Sequence, residues 1–230
     1  MTKHISIIRG RQDETYESFH ARIREIIDKI KVSLSPGPPV SQSPYLHYTI
    51  TLQPPPKRSV IPFRKDKIAL ISMKTEDNSV MDFLTGESGF SGTFTVEEAL
   101  PIAYTKDWPD GETTPGVCLL TLFRRKKNID HETFIDRWHN GHTPLTLKIH
   151  PIYHYNRNEV KNVTADPPVL YNGIVEEHCL TESELFNPFK FFAKSGFAPI
   201  NMIKTYFDVN SFIDYKSIET YLVKEFVMIS

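Results

Sequence analysis

The chain has 230 residues, of which 40% are hydrophobic, 24% charged and 12% aromatic, with 17 prolines and a formal net charge of −1. This is the composition of a folded protein whose sheets are separated by stiff loops, and it lacks the global basic field on which nucleic-acid binding rests. No run approaches the roughly 18 apolar residues that span a bilayer, and residues 5–8 are too short for a signal-peptide core, so a cytoplasmic protein with neither nucleic-acid nor membrane partners is expected.

In chain order, residues 4–9 (His-Ile-Ser-Ile-Ile-Arg) predict a strand. A polar turn follows, and residues 15–30 carry Phe19, Ile23, Ile26, Ile27 and Ile30 at the spacing of an amphipathic helix. Extended segments at 45–52 and 67–73 come next, with proline-rich loops at 35–39 and 54–56 as stiff excursions. A short helix at 79–84 and a strand at 93–104 end the first half. Residues 106–115, which include Asp107-Trp108-Pro109-Asp110-Gly111, carry the turn chemistry of a boundary.

The second half repeats the plan. It has a strand at 116–125, Asp130 as a helix cap, a helix bearing Phe134 and Trp138, extended segments at 152–160 and 170–179, a short helix within 182–192 and a last strand at 219–229. At an offset of 115 residues Arg9 meets Arg124, Glu17 meets Glu132, Phe19 meets Phe134 and Arg22 meets Arg137. Strand, helix, two strands, helix, strand is the split βαβ plan, in which helices cover one face of an antiparallel sheet and leave the other apolar. Two such faces should bury each other. The expected fold is therefore α+β, with two tandem ferredoxin-like βαββαβ repeats, residues 1–110 (degenerate) and 111–230, packing their sheets into one α+β barrel within the chain.

Cys118 and Cys179 fall in apolar strand-like runs without CxxC spacing, which predicts buried reduced thiols. Phe134, Trp138 and His142 share a helical face turned toward the sheet. Gly141 and the pair Thr143-Pro144 predict a helix break at His142 and a new turn beyond it. Downstream, alternation along the strand puts Tyr153 and Tyr155 on one face, His154 and Asn156 on the other. An imidazole beside apolar surface can exchange a proton with a phenol or β-keto acid near neutral pH, or it can satisfy a buried carbonyl; Trp138 can be core or ligand platform. His139, His142, His150, His154 and His178 raise haem or metal binding, but no acidic or Cys ligand stands at metal spacing.

The run Phe134-x3-Trp138-x3-His142-x-Pro144-Leu145, followed by a strand bearing Tyr and Asn, resembles the signature of the EthD family within the dimeric α+β barrel superfamily. Residues 171–176 resemble that family's third strand, and Asp208-x3-Phe212-Ile213-Asp214 its segment before the last strand. Asn172 stands where the family commonly has Asp. The resemblance covers about half the chain, and the first half has Ile23 and Ile27 where the second has Trp138 and His142, so one motif site per chain is expected.

Relatives in that superfamily include cofactor-free monooxygenases, polyketide cyclases, decarboxylases, a lactone isomerase and haem-binding enzymes, while the founding EthD protein is an accessory to ether degradation. The resemblance thus implies a fold and a pocket more than a reaction. The expected function is a cofactor-independent enzyme acting on a small aromatic or polyketide-like compound by cyclisation, decarboxylation or oxygenation. His142 would be its general acid or base, and Trp138, Tyr153, Tyr155 and Asn156 would bind the substrate in a cavity between the two sheets. No cofactor and no metal are expected, and leftover sheet edges and helix faces suggest a homodimer. The alternative is a non-catalytic small-molecule-binding or accessory protein of the same fold.

Overall fold

The structure is a computed structural model that describes residues 2–34, 45–75, 79–164 and 170–230; the proline-rich stretch 35–39 lies outside them. In the first half, β1 (Lys3–Arg9), α1 (Tyr16–Ser33), β2 (Tyr45–Ile50), β3 (Ile68–Lys74), α2 (Ser79–Thr85) and β4 (Phe90–Ile102) follow one another. The second half runs β5 (Val117–Phe123), α3 (His131–Asp136), a π-helical turn (Arg137–His142), α4 (Thr143–Ile149), β6 (Ile152–Thr164) and β7 (Gly173–Cys179). It ends with α5 (Glu182–Phe186), α6 (Pro188–Phe191), α7 (Ala198–Phe212) and β8 (Glu219–Ile229).

The eight strands close into one antiparallel barrel in the order β1-β3-β2-β8-β5-β7-β6-β4. Each half contributes a four-stranded sheet of the same internal order, β4-β1-β3-β2 and β8-β5-β7-β6, and the halves are joined along β2–β8 and β4–β6. The fold is α+β, and closure leaves neither sheet with an unpaired edge.

Because side chains alternate along a strand, every strand serves two cores. On the outside of the first half, Phe19, Ile23, Ile26, Ile27 and Ile30 of α1 pack on Ile8, Tyr48, Ile50, Ala69 and Ile71. Inside the barrel lie Ile5, Ile7, Leu70, Phe94, Leu120, Leu122, Ile174 and Val223. Outside the second half, Phe134, Trp138 and Phe212 cover Leu119, Phe123, Tyr155 and Val175. All seven residues of β7 are buried for this reason, since helices cover one face and the opposite sheet the other. Each large side chain buried this way contributes roughly 1.5–3 kcal/mol.

Local signals match these elements. Thr15 and Ser18 form a reciprocal capping box at the start of α1, and Asp130 Oδ1 accepts the Thr133 N–H at 2.7 Å at the start of α3. Gly173 has a packing role, because a Cβ there would lie 2.3 Å from Phe123 Cζ. Cys118 and Cys179 are buried free thiols.

Two local expectations need correction. The helix does not break at His142; α3 passes into α4 through the π turn, in which the Thr143 N–H reaches back to the Trp138 carbonyl. The wider turn lets the chain continue although Pro144 has no N–H to donate and would crowd the carbonyl of an ordinary turn. The second correction is α7, which the sequence did not predict. Its apolar residues run round the helix rather than along one stripe, so Ile200, Ile203, Tyr206 and Phe207 remain exposed on its outer side and the periodic signal is weak.

Candidate functional site

Phe134 and Trp138 are fully buried and seat the α3–α4 helix on the outer face of the sheet. Trp138 meets Phe123 edge-on at 5.0 Å, and the Arg157 guanidinium lies over its ring at 5.8 Å while donating to Thr143 Oγ1 at 2.8 Å. One turn on, His142 is held from two sides. Its Nδ1 lies 2.6 Å from Asp208 Oδ2 on α7, and its Nε2 lies 3.2 Å from Thr146 Oγ1 on α4. An ionised carboxylate only accepts, so Nδ1 carries the proton of the neutral ring and the Nε2 lone pair is left to accept from the Thr146 hydroxyl. Asp208 thus sets both the tautomer and the orientation of the imidazole.

Beside His142 is a cavity of about 150 Å³, walled by Phe123, Trp138, Tyr155, Val175 and Phe191, with Glu177 and Thr205 among its polar groups. It lies between the outer face of β5, β6 and β7 and the helices that cover them. The expectation of a pocket between the two sheets is therefore corrected. The reason is strand parity: Leu119, Tyr155 and Val175 belong to the core under the helices, whereas the inward neighbours Leu120 and Ile174 fill the barrel.

Burial pushes the Glu177 carboxyl up to about 7, with His142 acting in the opposite direction. A carboxylic acid that can give or take a proton near neutral pH therefore shares the cavity wall with an oriented imidazole. Burial raises the Tyr155 phenol well above its usual range, so it stays a neutral donor. His150 donates Nδ1–H to the Phe191 carbonyl at 2.8 Å and stacks on the Phe191 ring, with centroids 4.0 Å apart; burial holds it down to about 4. It is a neutral part of the wall.

The neutrality of His150 has a consequence for acid stability. In the unfolded chain this group titrates at 6.5, and in the folded protein at about 4. Below 6.5 the unfolded chain takes up a proton that the folded one refuses, so stability is fully present above 6.5 and is lost as pH falls toward 4. At about 1.4 kcal/mol per unit, the loss from this residue is roughly 3 kcal/mol. His178, held down to about 3 by burial, acts in the same direction. Urea unfolding between pH 7 and pH 4 should show a shallower fall in His150→Gln than in the native protein; an identical slope would exclude His150 as a source.

Of the residues singled out in the sequence, the structure brings His142, Trp138 and Tyr155 together and separates Tyr153 and Asn156 from them. A register shift in β6 between Ile152 and His154 takes Tyr153 off the face of Tyr155, while Asn156 lies on the opposite face from Tyr155, as alternation expected. Tyr153 donates its hydroxyl to the Pro115 carbonyl. Asn156 points into the barrel, where its Nδ2 donates to Glu98 Oε1 at 3.1 Å. Asn172 accepts the Arg125 N–H at 2.9 Å and closes a strand end, so its amide has a structural task. The sequence did not mark Asp208, Glu177, Thr146 or Thr205 as site residues. Thr205, Asp208, Val209 and Phe212 do stand at i, i+3, i+4 and i+7, a pattern that would have put them on one helical face had α7 been recognised.

No family model matches the sequence, and no match to it was found among curated proteins. Among solved structures, an anthrone oxidase-like protein superposes with a TM-score of 0.60 at 7% identity, over 100% of this chain and 94% of the other. A candidate monooxygenase from Fusobacterium nucleatum subsp. nucleatum superposes with a TM-score of 0.52 at 10% identity, over 99% of this chain and 92% of the other. At such identities the likeness is one of fold. The class the structure defines is a single-chain α+β barrel protein with a histidine-bearing cavity under the helices of its second half.

Proposed function

We propose that the protein is a small-molecule-modifying enzyme that moves a proton on a one- or two-ring aromatic or polyketide-like compound held in the cavity beside His142. The observation that carries this is the Asp208–His142 hydrogen bond of 2.6 Å, which orients the imidazole in the wall of a mostly apolar cavity of about 150 Å³. A cavity of about that volume accommodates a benzene-sized ring. In this reading His142 Nε2 takes a proton from a phenol or an activated methylene, Asp208 stabilises the imidazolium that results, and Glu177, in its protonated form, donates to the oxygen on which charge develops. Trp138, Phe123 and Phe191 shape the pocket and keep water from the reacting atoms.

The proton transfer itself needs no cofactor. The fate of the carbanion or enolate decides between cyclisation, decarboxylation and oxygenation. The names of the two structural neighbours favour oxygenation, in which the deprotonated substrate gives its electrons to dioxygen. Membership of the EthD family is part of the same proposal, supported by the placing of Trp138 and His142 on a helix against the sheet.

The direct test is proton exchange. Purified protein in deuterated buffer should accelerate exchange at the activated methylene of a one- or two-ring aryl ketone, followed by NMR. Asp208→Asn should slow that exchange by about tenfold or more, because the tautomer is no longer enforced, while affinity for the compound changes little. If the native protein binds such compounds without exchanging any proton, the cavity belongs to a binding or accessory protein instead.

A further inference from the structure

A second constellation lies inside the barrel, on the opposite side of the sheet from the His142 cavity. His47 of β2, Glu176 of β7 and Glu225 of β8 are all buried, and one ligand atom from each lies within 4.8 Å of the other two. His47 Nε2 and both carboxylate oxygens of Glu176 are buried without a hydrogen-bond partner among the described residues. Unpaired donors and acceptors of this kind are costly in an interior, and a carboxylate more so than most, which makes the cluster a poor choice for simple packing.

The surroundings are arranged as supports. Tyr45 Oη bonds to His47 Nδ1, which leaves Nε2 as the ring nitrogen available to a metal. Glu225 Oε2 accepts from Tyr104 Oη at 2.9 Å and from Thr114 Oγ1 at 2.6 Å. The nearby cations are engaged elsewhere: Lys3 and Lys74 both pair with Glu98, at 2.6 and 2.7 Å. A ring nitrogen and two carboxylates form the donor set of a protein site for a first-row divalent metal, and the groups holding His47 and Glu225 supply an outer shell, while Glu176 is left with both oxygens unpaired.

We propose that His47, Glu176 and Glu225 ligate a divalent transition-metal ion, of the zinc type, in the barrel interior. Ligand atoms on tetrahedral zinc lie about 3.4 Å apart, given bonds of about 2.0–2.1 Å. The three atoms lie within 4.8 Å of one another, so an ion would draw them closer together. The ion would neutralise the buried carboxylates and tie β2 of the first half to β7 and β8 of the second across the β2–β8 seam, so the site exists only in the closed barrel. A structural ion of this kind stabilises the folded chain because the ligands are scattered once it unfolds.

The test uses the full chain after removal of metal with a chelator. Zinc, and cobalt as a spectroscopic substitute, are added both to the folded protein and during refolding from denaturant, since a sealed interior can load by the second route alone. Expected are one equivalent of metal per chain by elemental analysis, a thermal midpoint that rises with metal concentration, and visible absorption from the cobalt form. Glu176→Gln and His47→Gln should each weaken uptake by at least the roughly 10- to 100-fold that even an outer-shell change produces. His142→Asn should leave uptake unchanged, which separates this site from the cavity. Failure to load a stoichiometric ion by either route, or uptake that both ligand variants retain, would overturn the proposal; because the first of these needs only the native protein, it stands even if a variant fails to fold.

Discussion

His142→Asn is expected to lower catalysed proton exchange by about 10²- to 10⁴-fold, the usual contribution of a positioned acid or base, with little change in stability. The size follows from geometry. His142 lines the cavity, its Nδ1 committed to Asp208 at 2.6 Å and its Nε2 bonded to the Thr146 hydroxyl at 3.2 Å. Asparagine can still bond to Asp208, but it has no basic nitrogen. The stability cost stays small because the asparagine amide keeps a donor for Asp208, so the carboxylate, only 22% accessible, is not left without a partner. Thermal unfolding of the variant alongside the exchange rate distinguishes the alternatives raised by the sequence. A histidine that only satisfied structure would show the reverse result, a large loss of stability with exchange unaltered.

Trp138→Ala should produce the largest loss of stability, about 3–5 kcal/mol in urea unfolding. The indole is fully buried, touches Phe123 and Phe134 through ring contacts at 5.0 and 5.4 Å, and carries the Arg157 guanidinium on its face. Deleting it merges the vacated volume with the cavity beside His142, and the surrounding sheet cannot collapse to refill it. The same residue forms core and cavity wall at once, so the question whether it serves packing or ligand binding has a quantitative answer. A loss below about 1 kcal/mol, combined with lost affinity for one-ring compounds, would make it a ligand platform. The expected loss at full size makes it core first.

Both residues were marked by their spacing, whereas the partners that give His142 its chemistry were not. Asp208 lies 66 positions away and stood in the sequence only as the first residue of the segment before the last strand, with no role assigned, because its helix was not recognised. Glu177 sits beside Glu176 in one strand, and the alternation of β7 sends the first toward the helices and the second into the barrel. Nothing in the dipeptide itself says which is which. Tyr153 was placed beside Tyr155 by strict alternation, and a single register shift in β6 separated them, whereas Asn156 lies on the opposite face from Tyr155, as alternation expected.

The two-fold strand–helix plan, the amphipathic face of α1, the caps at Thr15 and Asp130 and the helix bearing Trp138 and His142 were legible because each depends on residues a few positions apart. Periodicity and capping are local, and a short window contains all the interactions that favour them. The side of the sheet on which the cavity opens, the pairing of His142 with Asp208, and the meeting of His47, Glu176 and Glu225 depend instead on strand parity and on barrel closure. Those are set by which faces bury each other when the whole chain is packed, and a one-residue shift reverses them without altering any local preference.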